Sequence, residues 1–226
     1  MKYMNVLVFI QRQGVQLYYM DQQAPIACVL PPSTMRDLEI INEKELESFL
    51  AKALRPVSPK SQMQAILLLD DAVCFSSALE AGKEDEIKKT LINDVPFLRV
   101  ANTTVTLTTG SLFVTTNQDL YESIARVLEA RMYSVIGVYP WVAIQQLQIL
   151  KPGEVVGTQF VKRLFDAVSS LKQVAFSYHN QFVPPVVPAT YLKPAATQTS
   201  RIGWSIFLSV ALVYILVMVA IAFVRT

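Results

Sequence analysis

The fold class is decided by residues 103–150, which read TTVTLTTGSLFVTTNQDLYESIARVLEARMYSVIGVYPWVAIQQLQIL. β-branched residues fill both sides of Gly110 and Ser111, which predicts a β-hairpin with these two residues in its turn. Asn117 is a good N-cap for the next segment, where apolar residues recur at the helical period: Leu120, Ile124, Val127 and Leu128. The run YSVIGVYP then predicts a strand, and WVAIQQLQIL predicts another helix. This alternation of strands and helices indicates an α/β body.

The residues upstream of this stretch predict a meander, a helix and a buried strand. NVLVFI, VQLYYM and PIACVL read as three short strands, with Gly14 in the first turn. Asn42 is a good N-cap for the helical pattern that follows it, and Glu45 completes a capping box. MQAILLLD then has the near-continuous apolar character of a strand inside a sheet.

Three further segments complete the predicted body. KEDEIKKTLIND reads as a charged surface helix whose Ile87 and Leu91 face inward. TQFVKRLFDAVSSL predicts a last amphipathic helix, and QVAFSY after it predicts a strand. The body is therefore long enough to bury a core of its own.

Residues 202–224 contain no charged side chain and no proline, which predicts a transmembrane helix. At about 1.5 Å per residue the run reaches roughly 34 Å, enough for a hydrocarbon core of about 30 Å. Trp204 and Arg225 stand near its two ends, where they suit the membrane interface. Ser205 and Ser209, four residues apart, and Tyr214 near the bilayer centre predict packing against another helix. The lipid bilayer is thus the first expected partner.

The ends of the chain predict the topology of this span. The N-terminal apolar run is short and Arg12 follows at once, so no signal peptide is expected. Lys193 and Arg201 before the span, against Arg225 after it, agree with the positive-inside rule. We therefore expect a single-pass membrane protein with its N-terminal body in the cytoplasm.

Composition and motifs argue against most other classes of function. The net charge is +2 without a basic cluster, so nucleic acid is not an expected partner. Cys28 and Cys74 read as free, small apolar residues of a reducing compartment. The only histidine, His179, lies at the edge of a proline-rich segment, and no metal-ligand spacing or catalytic motif occurs. We expect no cofactor, no metal, no catalytic residue and no enzyme activity.

Asp70 and Asp71 are the one enzyme-like feature. They directly follow the apolar strand, and carboxylates at such a place can hold Mg²⁺ or act as bases. The competing interpretation is a solvated junction between strand and turn, where Asp is favoured anyway. Asp21, after YYM, is a residue of the same kind with less support.

Two stretches resemble PilM- and GspL-type proteins, the actin-like cytoplasmic proteins of type IV pilus and type II secretion inner-membrane platforms. The first is the opening hairpin VLVFIQRQGVQLYY, placed where that family has its first two strands. The second runs from Gln62 to about Leu147, with the family's succession of strands and helices and the proline after the later strand. The resemblance implies a reduced actin-like, ribonuclease H-like cytoplasmic body with mixed sheets, tied to the bacterial inner membrane.

This chain differs from the family at the first turn. The family has a nucleotide-phosphate loop there, of the type D-x-G-[ST], whereas this chain has Gln11, Arg12, Gln13 and Gly14. The carboxylate that would be linked to a metal and the hydroxyl that would meet a phosphate are missing. This implies a member that binds no nucleotide.

The predicted organisation has four parts. Residues 1–60 form an N-terminal meander and helix, and residues 61–180 an α/β subdomain that resembles the inserted part of the PilM and GspL fold. Residues 181–201 form a proline-rich linker, and residues 202–224 the membrane helix.

The predicted function is a membrane-anchored scaffold that docks cytoplasmic partners and is not catalytic. Its expected partners are other inner-membrane platform proteins, with a cytoplasmic assembly ATPase and a second copy of the chain left open. The alternatives are a tail-anchored nucleotide-binding protein or enzyme that uses Asp70 and Asp71, and a eukaryotic tail-anchored adaptor.

Overall fold

The computed structural model describes residues 4–56, 63–150 and 156–178. All the described residues belong to one compact unit of the chain. Several predictions lie outside the described residues: the linker, the span 202–224, and His179, Trp204, Ser205, Ser209, Tyr214 and Arg225. Over the part of the chain that is described, no helix is long and apolar enough to cross a bilayer.

The described body is α/β with ten strands and five α-helices among these residues. The strands are β1 (Met4–Gln11), β2 (Gly14–Tyr19), β3 (Ile26–Val29), β4 (Met35–Arg36), β5 (Glu39–Ile40), β6 (Met63–Leu69), β7 (Cys74–Leu79), β8 (Val100–Leu107), β9 (Gly110–Asn117) and β10 (Tyr133–Pro140). The helices are α1 (Glu43–Ala53), α2 (Glu84–Asp94), α3 (Gln118–Glu129), α4 (Trp141–Gln146) and α5 (Thr158–Leu171). The predicted α/β class with mixed sheets is confirmed.

A five-stranded mixed sheet carries the core, in the order β10-β6-β1-β2-β3. The predicted meander supplies the antiparallel strands β1, β2 and β3, and β6 and β10 continue the sheet parallel to β1. Every side chain from Ala65 to Leu69 in β6 is fully buried, as is expected for an apolar strand between two neighbours. Strands from residues 1–60 and from residues 61–180 therefore share one sheet.

Helices cover this sheet with their apolar sides. α1 and α3 pack against each other, α3 also packs on β6 and β10, and α5 packs on β1 and β2. The predicted stripe of α3 is buried: Leu120, Ile124, Val127 and Leu128 all lie in the core. The predicted caps also form, because the side-chain oxygens of Asn42 and Asn117 accept hydrogen bonds from the backbone N–H groups of Glu45 and Asp119.

A second sheet, inserted in the chain between β6 and α3, has the order β7-β9-β8 and carries α2. It differs from the prediction at the β8–β9 turn. β8 pairs with β9 from Leu107 opposite Gly110, so the turn consists of Thr108 and Thr109. Gly110, predicted to lie in the turn, instead begins β9 with a φ of +146°, which explains why glycine stands there.

Two other local predictions need correction, and one element was not predicted. QVAFSY is not a strand: its first two residues belong to a 3₁₀ turn over Lys172–Val174, after which the Phe176 N–H donates one hydrogen bond to the Val138 carbonyl of β10. The helix predicted over WVAIQQLQIL ends at Gln146. The small β4–β5 ladder was not predicted, because its turn places Asp37 and Leu38 at positive φ, which is uncommon for a bulky residue.

Candidate functional site

The carboxyl edge of the parallel strands is the candidate site. Ile10 of β1 pairs with Leu69 of β6, and Leu69 pairs with Pro140 of β10, so the three strands end side by side. Ligands of open α/β sheets bind outside the carboxyl ends of the strands. The residues at or directly after these strand ends are brought together here: Gln11, Asp70, Asp71 and Trp141.

Asp70 is held by its own neighbours at this edge. Its Oδ1 accepts a hydrogen bond of 3.1 Å from the Ala72 backbone N–H, and its Oδ2 accepts one of 3.3 Å from Gln11 Nε2. Its backbone N–H donates to the Ile10 carbonyl at 2.9 Å. Asp70 thereby caps the 3₁₀ turn Asp71–Val73 and ties β6 to the end of β1. Both carboxylate oxygens already have protein partners.

Asp71 points to the surface and is exposed. Partial burial of the carboxyl and the negative charge of neighbouring Asp70 raise the pKa of Asp71 above its ordinary value. A hydrogen bond from the Val142 backbone N–H acts in the opposite direction. Within the described residues no group of three or more His, Cys, Asp or Glu side chains could hold a metal ion.

The turn between β1 and β2 also has a structural explanation. Gly14 has a φ of +149°, and a Cβ added there would lie 2.2 Å from the carbonyl oxygen of Cys28 in β3. The Leu30 N–H donates to the Gln13 carbonyl at 3.0 Å, so the segment after β3 closes against this turn. Glycine is therefore required here by the close approach of β3, whatever the turn binds.

An aromatic cluster fills the space beside the edge. The ring centroids of Phe9 and Trp141 lie 5.3 Å apart, and those of Trp141 and Phe160 lie 6.0 Å apart. Phe160 is fully buried, so the cluster joins β1, α4 and α5 into one packed unit. This cluster was not predicted from the sequence, although Trp141, directly after the end of β10, was a visible signal.

Asp21 lies at the opposite edge of the sheet and is not brought near Asp70. Both of its carboxylate oxygens accept hydrogen bonds from Arg55 Nη1, at 3.1 and 2.9 Å. The Arg55 guanidinium also lies 4.5 Å from the centre of the Tyr19 ring. Asp21 thus connects the end of β2 to the segment after α1, which is a structural role.

The comparisons with known proteins bear on this fold. No protein-family model and no curated protein matches the sequence. One similar solved structure is the PilM–PilN type IV pilus biogenesis complex, at 11% identity and a TM-score of 0.35, with 61% of this chain and 47% of that chain covered. Another is the cytoplasmic domain of EpsL, an inner membrane component of the type II secretion system of Vibrio cholerae, at 13% identity and a TM-score of 0.34. That match covers 61% of this chain and 56% of the EpsL domain.

A third similar structure is a protein of unknown function with an actin-like ATPase fold from Bacteroides thetaiotaomicron. The identity is 8%, the TM-score is 0.37, and 60% of this chain and 52% of that chain are covered. The chain therefore spans about half the length of the solved structures that it matches. Two of these three distantly similar structures, the PilM–PilN complex and the EpsL domain, are of the pilus and secretion classes that the sequence resembles.

Proposed function

We propose that this protein is a membrane-anchored scaffold of a type IV pilus or type II secretion-like inner-membrane platform, and that its body docks partner proteins without catalysis. Within this proposal the body is a reduced actin-like unit. The order of its elements supports this: a meander, a parallel strand, an inserted sheet, a helix and a second parallel strand. That is the succession on which the resemblance to PilM- and GspL-type proteins rests.

The observation that carries the non-catalytic part is the hydrogen bond between Gln11 and Asp70. In a nucleotide-binding relative the first turn would offer a carboxylate and a hydroxyl to the phosphates and their metal. Here an amide occupies the place of that carboxylate and binds Asp70, whose other oxygen caps the backbone. Each Asp70 oxygen thus accepts a hydrogen bond from within the body, which supports a structural role for this carboxylate.

The membrane anchor rests on the sequence. Residues 202–224 are free of charged side chains, with Trp204 near one end of the run and Arg225 directly after the other. An anchored body increases the effective concentration of its partners at the membrane, which is how a scaffold without chemistry of its own promotes assembly. The expected partners are inner-membrane platform proteins, with an assembly ATPase and self-association as further candidates.

Co-purification tests the function. The tagged full chain would be cross-linked in its native host, purified from the membrane fraction and analysed by quantitative mass spectrometry. We expect enrichment of pilus or secretion platform components relative to a variant lacking residues 202–224. If no such component is enriched, the assignment to these platforms is wrong.

Topology is tested by cysteine labelling. With Cys28 and Cys74 replaced by alanine, a single Thr226→Cys residue should react with an impermeant maleimide only from the side opposite the body. If the reagent labelled Thr226→Cys only after the membrane had been permeabilised, and not in intact cells, the proposed orientation would be wrong.

A further inference from the structure

A groove runs along α2 in the inserted sheet. It has a volume of about 480 Å³ and lies between Ser77 of β7 and one side of α2, with residues from Lys83 to Asp94 along its wall. α2 has no fully buried residue, and its inward-facing Ile87 and Leu91 remain half-buried. The helix therefore leaves space above the sheet that its own side chains do not fill.

The strand beside this groove has an open edge. Among the strands that the structure describes, β7 pairs with β9 alone, on one of its two sides, and none of its six residues is fully buried. Alternate residues of an edge strand direct their N–H and C=O groups away from the sheet. Such an edge can accept an added strand from another polypeptide.

β7 lacks the features by which proteins protect an edge. Its sequence, CFSSAL, has no charge and no proline, and its register with β9 is continuous from Cys74 to Leu79 without a bulge. β3, at an edge of the other sheet, has only four residues and lies between Pro25 and Pro31. The edge at β3 is thus protected by its shortness and its flanking prolines, whereas the edge at β7 has neither of these features.

The groove is acidic. Three carboxylates line it, from Glu80, Glu86 and Asp94, against the single ammonium of Lys83. Lys83 pairs with Glu80 at 3.3 Å, whereas Glu86 and Asp94 form no ion pair with another described residue. Glu86 and Asp94 are eight residues apart on the helix, which corresponds to about 12 Å along its axis.

We propose that this groove binds an extended, basic segment of a partner protein, which adds as a strand to the open edge of β7. Backbone hydrogen bonds to β7 supply the pairing, and two cationic side chains contact Glu86 and Asp94. In an extended segment, residues four apart on one face are separated by about 13 Å, which matches the spacing of the two carboxylates. The segment therefore carries Lys or Arg at positions i and i+4.

A second copy of this chain fits the groove less well. Pairing of β7 with the β7 of another copy would bring two sets of Glu80, Glu86 and Asp94 together, and like charges at an interface disfavour that partner. This inference rests on the proposed docking role. A failed binding assay would leave the membrane co-purification unaffected, so the two failures are distinguishable.

The test uses the full chain in a zwitterionic detergent and a fluorescein-labelled peptide of nine residues. The probe contains threonine and valine, with lysine at its third and seventh positions; a control probe has the same composition with the two lysines adjacent. We expect fluorescence anisotropy to show tighter binding of the first probe. Hydrogen–deuterium exchange should show new protection at residues 74–79 when this probe is bound.

Neighbouring residues of α2 supply a matched pair of variants. Glu86 lines the groove, whereas Asp85 is exposed outside it. Glu86→Lys should weaken binding of the first probe by about tenfold or more, and Asp85→Lys by no more than about twofold. Equal weakening by both variants, equal affinity for both probes, absence of binding at millimolar probe, or unchanged exchange at residues 74–79 would each overturn the proposal. So would dimerisation through β7 that the probe cannot displace.

Discussion

The two sheets of the body are packed in different ways. In the five-stranded sheet, every side chain of β6 from Ala65 to Leu69 is fully buried. Helix α3, which packs on this sheet, buries seven residues. In the inserted sheet, helix α2 buries none. The helices have similar lengths, 12 and 11 residues, so the difference lies in the width of the apolar stripe that each presents. The densely packed sheet supplies stability, and the loosely packed insertion offers a surface for binding.

The largest expected effect compares one isoleucine in each helix. Ile124→Ala in α3 removes a fully buried side chain and should lower the free energy of unfolding by about 3 kcal/mol. Ile87→Ala in α2, where the side chain is half-buried, should lower it by about 1 kcal/mol or less. Denaturation can be followed by the fluorescence of Trp141 in a Trp204→Phe background, because these are the two tryptophans of the chain. Equal losses would remove the distinction between the sheets.

Two glycines with similar positive φ, one in each sheet, allow a second comparison of how tightly the sheets are packed. Gly14→Ala places a Cβ against the Cys28 carbonyl at 2.2 Å, so we expect a loss of roughly 2–3 kcal/mol. Gly110 has a similarly positive φ, but nothing lies within 4 Å of a Cβ added there. Gly110→Ala should therefore lower the free energy of unfolding by about 1 kcal/mol, through backbone strain alone. The same denaturation measurement checks both, and a more harmful Gly110→Ala would show that the insertion is packed more tightly than described.

Asp70 and Asp71 should respond differently to truncation. Asp70→Ala removes the cap on the Ala72 N–H and the acceptor for Gln11, with an expected loss of about 1–2 kcal/mol. Asp71→Ala should change stability by no more than about 0.5 kcal/mol, because the side chain is exposed. If both truncations were equally damaging, the assignment of the structural bonds to Asp70 would be wrong.

The smallest expected effect is a pH dependence at Asp71. Its folded-state pKa is raised, so the fold favours the protonated carboxyl, and this contribution is lost as the pH rises through that pKa. Asp71→Asn should therefore raise stability slightly at neutral pH, by less than about 0.5 kcal/mol given the exposure of the group. The gain should vanish below the ordinary Asp pKa of about 4, where both side chains are neutral. Melting curves against pH check this, with Asp85→Asn as the control for loss of one surface charge.

Local signals in the sequence were sufficient for most elements. Asn42 and Asn117 were recognisable as caps because capping depends on a few neighbouring residues, and the apolar run of β6 already indicated a strand with two neighbours. Glu45 shows the limit of such rules. Its backbone N–H meets Asn42 as predicted, but its carboxylate accepts a hydrogen bond from Ser33, twelve residues earlier.

The elements and contacts that could not be predicted depend on residues that are far apart in the sequence. The β4–β5 turn keeps Leu38 at positive φ, where its carbonyl accepts a hydrogen bond of 2.9 Å from the Asn117 side-chain amide. Seventy-nine residues separate these partners, so no local pattern could indicate the turn. The candidate site shows the same limit, because Gln11 and Asp70 look unrelated in the sequence and meet only through the parallel pairing of β1 with β6.

The central claim is that the carboxyl edge of the parallel strands is closed by its own residues. The most direct test is isothermal titration of the full chain in detergent with ATP and Mg²⁺. We expect no binding heat for the native chain. Micromolar binding that Asp70→Asn abolishes would contradict the account, because asparagine keeps the backbone cap while removing the charge that a metal requires.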